Sequence, residues 1–325
     1  MIVTVTPNPS IDRTVALSAP LTRGAVHRVT SATSEPGGKG VNVARALSLA
    51  GLDAVAVLPA AESDPMVVAL RTAGVAYRTV PVGGAVRTNL TITEVDGTTT
   101  KLNEPGARLD ATALDALTRS VLEYAESASW IVLSGSLPPG VPEDWYAGIV
   151  AQLASAPCRV AVDTSERPLD ALAAAFGSAA PDVIKPNAEE LAGLVGASPA
   201  ELEQAAAQGN PMPVVAAANQ LIERGVKTVL VTLGAAGAVL VDPSGSWMAA
   251  PPPIAPRSTV GAGDSALAGY VRAAVAGAEP PRRLQMAVAY GSAAAALPGS
   301  ALPSPSQIDL NAVRVYAITP ESIRP

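Results

Sequence analysis

Chemistry-bearing side chains are scarce in this chain, and the scarcity narrows its function before any motif is considered. There is one cysteine, Cys158, and one histidine, His27, in 325 residues. Disulfide frameworks and cysteine-rich zinc sites are excluded, and Cys158, in an apolar strand-like run, reads as an inert buried thiol. A His-based metal site or a serine triad would hang on His27 alone, which reads as an ordinary loop or strand side chain. Charged residues make up 15% of the chain, the net charge is −6, and no Lys/Arg block occurs, so nucleic acid is not an expected partner. No apolar run approaches the roughly 20 residues that a membrane span needs, and the first strand carries no basic leader. A cytoplasmic protein that does not associate with membranes is therefore expected. Catalysis is left to carboxylates, lysine, arginine, backbone amides or a hard metal ion.

What is present is an alternation of strand and helix patterns long enough for a large core, which points to one α/β unit. The organising stretch is Arg257-Ser258-Thr259-Val260-Gly261-Ala262-Gly263-Asp264-Ser265. A Pro-rich segment ends before it, and Leu267, Tyr270, Val271 and Ala274 follow at helical spacing, so residues 261–265 form a loop entering a helix. The first turn of a helix leaves N–H groups unpaired at the positive end of the peptide dipoles. Small residues at 261–263 let a phosphoryl group approach those amides, with the carboxylate of Asp264 beside it. That combination suits phosphoryl transfer to a hydroxyl. An ordinary helix start with an acidic first turn would look the same.

A second glycine-rich helix entrance is Gly37-Gly38-Lys39-Gly40-Val41-Asn42. Lys39 can meet a phosphate as a point charge and Asn42 can bridge sugar hydroxyls, although a glycine turn with a solvated lysine is the plain alternative. The stretch is not a P-loop, because no Gly-Lys-Ser/Thr follows a four-residue spacer. Asp12 follows the end of the first strand, a position suited to ligand hydroxyls and equally to a turn. Residues 87–95 alternate polar and apolar, and Asp96-Gly97 signals a hairpin leading to residues 98–103. A one-sided hairpin does not suit a sheet covered on both faces, so a small flap is expected from residues 13–35 and 86–104. Arg87 and Asn89 share one face of it, either over the substrate or toward solvent.

Further strand ends carry the same theme. Residues 130–133 run into Ser134-Gly135-Ser136-Leu137-Pro138-Pro139-Gly140, and residues 159–162 end at Asp163. Lys185-Pro186-Asn187 opens a helix with Glu190 three residues on, which spells a capping box; alternatively Asn187 and Glu190 organise the water shell of Mg²⁺. Thr232, Gly234 and Gly237 form a turn whose amides can face nucleotide phosphates. The next strands belong to an antiparallel edge, and the tail from Gln307 is expected to add a short helix.

These separate stretches occur in one order: Gly38-Lys39-Gly40 with Asn42, Arg87 with Asn89, residues 134–140, Lys185-Pro186-Asn187 with Glu190, Thr232 with Gly234 and Gly237, and residues 259–265. Together they resemble the ribokinase-like sugar kinases of the phosphofructokinase B type, across nearly the whole chain. Within that family the chain is most similar to the branch acting on phosphorylated ketohexoses, the 1-phosphofructokinase and tagatose-6-phosphate kinase branch.

The resemblance implies an α/β, doubly wound Rossmann-like fold. A mostly parallel central sheet would have helices on both faces and a small β-sheet lid. It implies one kinase domain over residues 1–325, often paired as a homodimer through the lid, using ATP and Mg²⁺ on a small sugar phosphate. Fructose 1-phosphate is the expected acceptor, with a ketohexose 6-phosphate as the alternative. Asp264 would be the general base, and the amides of Gly261, Ala262 and Gly263 the anion hole. Asp12, Asn42, Gly38, Asn89 and Ser136 would line the sugar site, and Lys39, Arg87 and Arg28 would hold its phosphate. Lys185, Asn187, Thr232, Gly234 and Gly237 would line the nucleotide site, and Glu190 and Asn187 would serve Mg²⁺ through water. A nicotinamide-dependent oxidoreductase would need Gly-x-Gly-x-x-Gly after the first strand, where Pro7-Asn8-Pro9-Ser10 stands. A silent sugar-phosphate sensor would gain little from Asp264.

Overall fold

The structure, a computed structural model, describes residues 1–319. In chain order the strands are β1 (Ile2–Val5), β2 (Ser10–Leu17), β3 (Val29–Gly37), β4 (Ala54–Pro59), β5 (Ala76–Val80), β6 (Arg87–Thr93) and β7 (Thr99–Asn103). They continue with β8 (Trp130–Ser134), β9 (Arg159–Asp163), β10 (Val183–Ile184), β11 (Thr228–Thr232), β12 (Ala238–Asp242), β13 (Gly245–Ala250) and β14 (Arg314–Ala317). Ten of them form one sheet in the order β14-β13-β12-β11-β10-β9-β8-β1-β4-β5. From β5 to β11 every pairing is parallel, and β12, β13 and β14 add antiparallel strands at one edge. The chain passes from β1 to β4 on one side and later to β8 on the other, so a crevice opens at the carboxyl ends of β1 and β8.

The residue alternation of the strands explains why both faces are covered. Val3, Val5, Ile131, Leu133, Val229 and Val231 pack with Leu117, Ile149, Leu191 and Leu221 of the helices on one face. Their neighbours Ile2, Trp130, Val132 and Leu230 pack with Val43, Leu47, Leu267, Tyr270 and Val271 on the other. Period two in strands that are apolar throughout gives two buried faces. On the second face the helices Lys39–Leu49 and Ala262–Val275 lie together, so the two glycine-rich helix entrances, 222 residues apart at Asn42 and Asp264, meet at one place.

The expected flap is a separate four-stranded sheet in the order β3-β2-β6-β7. β2 begins a little earlier and β3 ends a little later than the sequence suggests, because Ser10 and Gly37 already pair. β2 runs parallel to β6, aligning Asp12 with Asn89.

One feature differs from expectation. The tail forms a 3-10 turn at Pro305–Gln307 and then strand β14, not a helix, since β13 offers an open edge that Val315 and its neighbours complete. The last residues of that expected tail, 320–325, lie outside the described residues. Pro211 stands at the start of the helix Met212–Glu223, where the missing proline N–H costs nothing.

Candidate active site

The helix Ala262–Val275 begins at Gly261, whose φ of 75° is left-handed, and puts Asp264 in its first turn. Asp264 is buried, and its Oδ2 accepts a hydrogen bond from Asn42 Nδ2 at 2.9 Å. Burial and the nearby carboxylate of Asp163 push its pKa up to about 6, against the pull of Lys39, the Asn42 bond and Lys185. Asp264 is thus a carboxylate that ionises near neutrality at a helix N-terminus. Of the three small residues ahead of it, Ala262 N–H makes a long turn bond to Thr259 O at 3.3 Å. The Gly263 amide belongs to the first turn, where helical N–H groups have no intrahelical acceptor.

Asp163, at the end of β9, is the pivot of the charges around it. Lys39 Nζ lies 2.9 Å from one of its oxygens and Lys185 Nζ 3.1 Å from the other. Burial alone would raise the Asp163 carboxyl, but the two ammonium groups outweigh it and hold it below the usual carboxylate range. Lys39 is affected in the complementary sense: burial would lower it, and Asp163, Asp264 and Glu190 hold it above its ordinary value. A Cβ at Gly263 would stand 3.2 Å from Lys185 Nζ, so that lysine reaches the same helix entrance. Two lysines and two aspartates therefore share the floor of the crevice. Sequence reasoning noticed Asp163 only as a strand-end carboxylate; its pairing with both lysines joins residues 124 and 22 positions apart, which no local pattern reports.

The flap supplies the roof. Asp12 Oδ1 accepts from Ser10 Oγ at 2.7 Å and from Asn89 Nδ2 at 3.1 Å, while burial raises its pKa. Gly37, paired with Ser10 across β2/β3, is there for space: a Cβ would fall 2.3 Å from Asp12 Cγ. Arg87 Nη1 donates to Glu104 O at 3.1 Å, its Nε is buried without a partner among the described residues, and burial pulls its pKa below the ordinary value. The Asn89 Oδ1 is likewise buried without a partner among the described residues. Unfilled polar atoms on adjacent flap residues are what a ligand carrying anionic and hydroxyl groups would satisfy. Ser136 Oγ accepts from Asn8 Nδ2 at 3.2 Å at the end of β8, and Gly38 caps the helix Lys39–Leu49. Arg28 is exposed and precedes β3 at the end of the flap opposite Gly37, so the structure does not bring it to Asp12.

On the other side, Asn187 forms the capping box with Glu190: Asn187 Oδ1 accepts from Glu190 N–H at 2.7 Å, and Glu190 Oε2 accepts from Asn187 N–H at 2.8 Å. Asn187 bridges to Thr232, whose N–H donates to Pro186 O at 3.0 Å. Gly234 opens the 3-10 turn after β11. Gly237 has a local reason to be glycine, because its φ is 98° and a Cβ would sit 2.0 Å from Ala249 O. Both cap residues serve the helix, yet the Glu190 carboxylate also lies within electrostatic reach of Lys39. This donor set is sparse, hard and all oxygen, which fits Mg²⁺, an ion that keeps several waters. Among the described residues no cluster of three or more His, Cys, Asp or Glu side chains could cage a metal by itself.

Residues 5–307 match the pfkB family carbohydrate kinases. The chain belongs to that family. It is 38% identical over 274 residues to the 1-phosphofructokinase of Xanthomonas campestris pv. campestris, covering 83% of each chain. It is 35% identical over 305 residues to the ATP-dependent 6-phosphofructokinase isozyme 2 of Escherichia coli, covering 93% of this chain and 94% of that one. The crystal structure of phosphofructokinase-2 from Escherichia coli in complex with substrates and products superposes with a TM-score of 0.85 at 33% identity, over 94% of this chain and 96% of that one. The fold is thus that of a pfkB carbohydrate kinase, and family membership implies ATP as the phosphoryl donor. Among the described residues no helix is long and apolar enough to cross a membrane.

Proposed function

We propose that this kinase transfers the γ-phosphoryl group of ATP to a ketohexose phosphate, converting fructose 1-phosphate to fructose 1,6-bisphosphate. The observation that carries the reading is a buried carboxylate, Asp264, poised near neutrality at a helix N-terminus and flanked by Lys39 and Lys185, with Arg87 beside Asp12 on the flap. The names of the relatives support fructose phosphates as the substrate class.

The acceptor hydroxyl oxygen bonds to the γ-phosphorus as the bond to the ADP oxygen breaks, and the hydroxyl proton passes to Asp264. A loose transition state of this kind is catalysed by positioning and by charge, so a base with a pKa of about 6 is strong enough. The amides of Gly261, Ala262 and Gly263 face the charge that develops on the phosphoryl oxygens. Lys185, held by Asp163, sits beside them, and Asn187, Thr232, Gly234 and Gly237 line the nucleotide. Asn187 and Glu190 would hold Mg²⁺ through water, where it supplies positive charge to the phosphate oxygens. Asp12, Asn42, Gly38, Asn89 and Ser136 orient the sugar, and Arg87 and Lys39 bind the phosphate it already bears. A neutral sugar would leave the Arg87 guanidinium without an anion, whereas Lys39 already has Asp163 beside it.

Residues 1–325 act in this reading as one kinase domain in the cytoplasm, with a lid at about 13–35 and 86–104. Val29 on β3 and Leu102 on β7 are exposed apolar residues of the lid's two edge strands, which supports pairing of two copies through it. Arg28, beside Val29, then enters the phosphate site only if that pairing brings it there.

The decisive experiment is coupled ADP release with MgATP and, separately, fructose 1-phosphate, fructose 6-phosphate, tagatose 6-phosphate and fructose. A tenfold or greater kcat/KM preference for fructose 1-phosphate is expected. The second reading, a 6-phosphofructokinase, is favoured by the likeness to the Escherichia coli isozyme and predicts a preference for fructose 6-phosphate with the sugar reversed. Turnover of free fructose alone would overturn the account of Arg87 and Lys39, and sugar-phosphate binding without any turnover would leave a sensor.

A further inference from the structure

Arg45 lies on the helix Lys39–Leu49, one turn beyond Asn42, and its side chain is only 13% exposed. Its guanidinium makes three contacts. Nη2 lies 2.7 Å from Glu35 Oε2, Nη1 donates to Pro36 O at 3.0 Å, and the same Nη1 approaches Asn42 Oδ1 at 3.4 Å. Glu35 and Pro36 form the root of the lid on β3, and Glu35 is the cross-strand partner of Asp12. Ser300 Oγ reaches Glu35 Oε2 from a third segment at 3.5 Å. Asn42, in turn, donates to Asp264.

We infer that Arg45 is a positioning residue: anchored on Glu35 and Pro36, it fixes the side-chain amide of Asn42 so that Nδ2 faces Asp264, tying the lid root to the orientation of the base. The inference rests on the reading of Asp264 as the base. An amide has a donor end and an acceptor end, and a half-turn exchanges them. A guanidinium only donates, so its place beside Asn42 favours the orientation with Oδ1 toward Arg45 and Nδ2 toward Asp264. The flipped amide would set two donors against each other on one side and two oxygens on the other. With Nδ2 engaged on Oδ2, the remaining oxygen of Asp264 is free for the acceptor hydroxyl. The charged groups that face Asp264 are Asp163, Lys39 and Lys185 on the floor, while Arg45, Glu35 and Asp12 stand on the lid side.

The test is a double-mutant cycle on the full-length protein with MgATP and the preferred substrate of the panel, comparing Arg45→Met, Asn42→Ala and the double variant. Arg45→Met is expected to lower kcat by roughly 10- to 100-fold, the scale on which a residue behind a reacting group acts. Both KM values should stay within about threefold, and the acid limb of the kcat profile should move to higher pH, since the Asn42 bond lowers the Asp264 pKa. In the Asn42→Ala background the same substitution should cost nothing further. Additive losses, or an acid limb that stays in place, overturn the inference, because a merely structural arginine would act independently of Asn42. Should Arg45→Met fail to fold, Arg45→Lys and Glu35→Gln take its place. Both weaken the anchor and should shift the limb in the same direction by less, and an unmoved limb with unchanged kcat in both overturns the inference. Asp264→Asn separates the two levels: if that variant turns over normally, the base reading itself fails. If it loses turnover while the cycle is additive, only the role of Arg45 fails.

Discussion

Lys185 Nζ stands 3.1 Å from Asp163 Oδ2, and the two side chains are buried to 6% and 1% exposure. Neither charge has water to fall back on, and Asp163 also carries Lys39 at 2.9 Å. Asp163→Asn removes the shared counter-charge from two ammonium groups. A broken buried ion pair typically costs about 3–5 kcal/mol, because the charge left behind is uncompensated. A lower midpoint in urea with an unchanged slope is the expected result. In the folded fraction, the acid limb of kcat/KM should move to lower pH, because Asp163 is one of the groups raising Asp264. An unmoved limb would mean that the two carboxylates do not sense each other.

Asp264 itself is expected to trade stability for activity. Its folded pKa is raised from 3.8 to about 6, burial first among the causes. A raised carboxyl pKa means that the group stabilises the fold fully below its unfolded pKa. That contribution is lost as pH rises through about 6, where the buried carboxylate ionises. Asp264→Asn removes the cost of that ionisation while keeping an acceptor for Asn42 Nδ2. The variant should melt above the wild type at pH 8 and level with it at pH 3.5. The difference should be of order 1–3 kcal/mol, at about 1.4 kcal/mol per pKa unit. Turnover should fall by at least roughly 10²-fold while the sugar phosphate still binds. Equal melting curves at pH 8 would show that Asp264 ionises without strain.

Gly37 offers a test of the sugar side. Its backbone is not left-handed, so alanine is tolerated conformationally, but the added methyl would collide with the Asp12 carboxylate at 2.3 Å. Asp12 must swing away from Ser10 and Asn89, which now orient it. Gly37→Ala should therefore raise KM for the sugar phosphate by roughly tenfold, about 1.4 kcal/mol, and leave KM for ATP near its original value. Equal changes in both would assign Asp12 to the frame of the lid and not to the sugar.

How far the sequence exposes this site depends on how local each signal is. The helix start at Asp264, the glycine loop before Asn42 and the Asp96-Gly97 hairpin are each written within about ten residues, and all three stand where the patterns put them. The capping box at Asn187 and Glu190 was legible too, and it forms. What the chain conceals is pairing at a distance. Asn42 reads as a sugar ligand until the packing of two helices places its amide on Asp264. Lys39 reads as a free cation until β9 brings Asp163 under it. Gly237 fits a phosphate-binding pattern, yet the carbonyl of Ala249 on the neighbouring strand is reason enough for glycine there. Strand β14 escaped because its partner edge, β13, lies 64 residues earlier from Ala250 to Arg314.

Arg87 is the sharpest probe of the substrate's charge. Its guanidinium is partly buried, and among the described residues no carboxylate lies within ion-pair distance of it. Its Nε has no partner among them either, and burial depresses its pKa despite the fields of Asp12 and Glu104. A buried cation kept without a counter-ion is a cost to the fold unless a ligand supplies the anion. Arg87→Leu should accordingly leave the ligand-free protein as stable as the wild type or slightly more so. The same change should raise KM for the sugar phosphate by roughly 10²-fold, through loss of one or two charge-assisted hydrogen bonds worth about 1.5–3 kcal/mol each. Wild-type protein should gain melting temperature when the sugar phosphate is added, and the variant should lose most of that gain. A variant that is strongly destabilised without ligand, yet binds the sugar phosphate normally, would make Arg87 a strut of the lid held by Glu104, and the phosphate would have to be held by Lys39 alone.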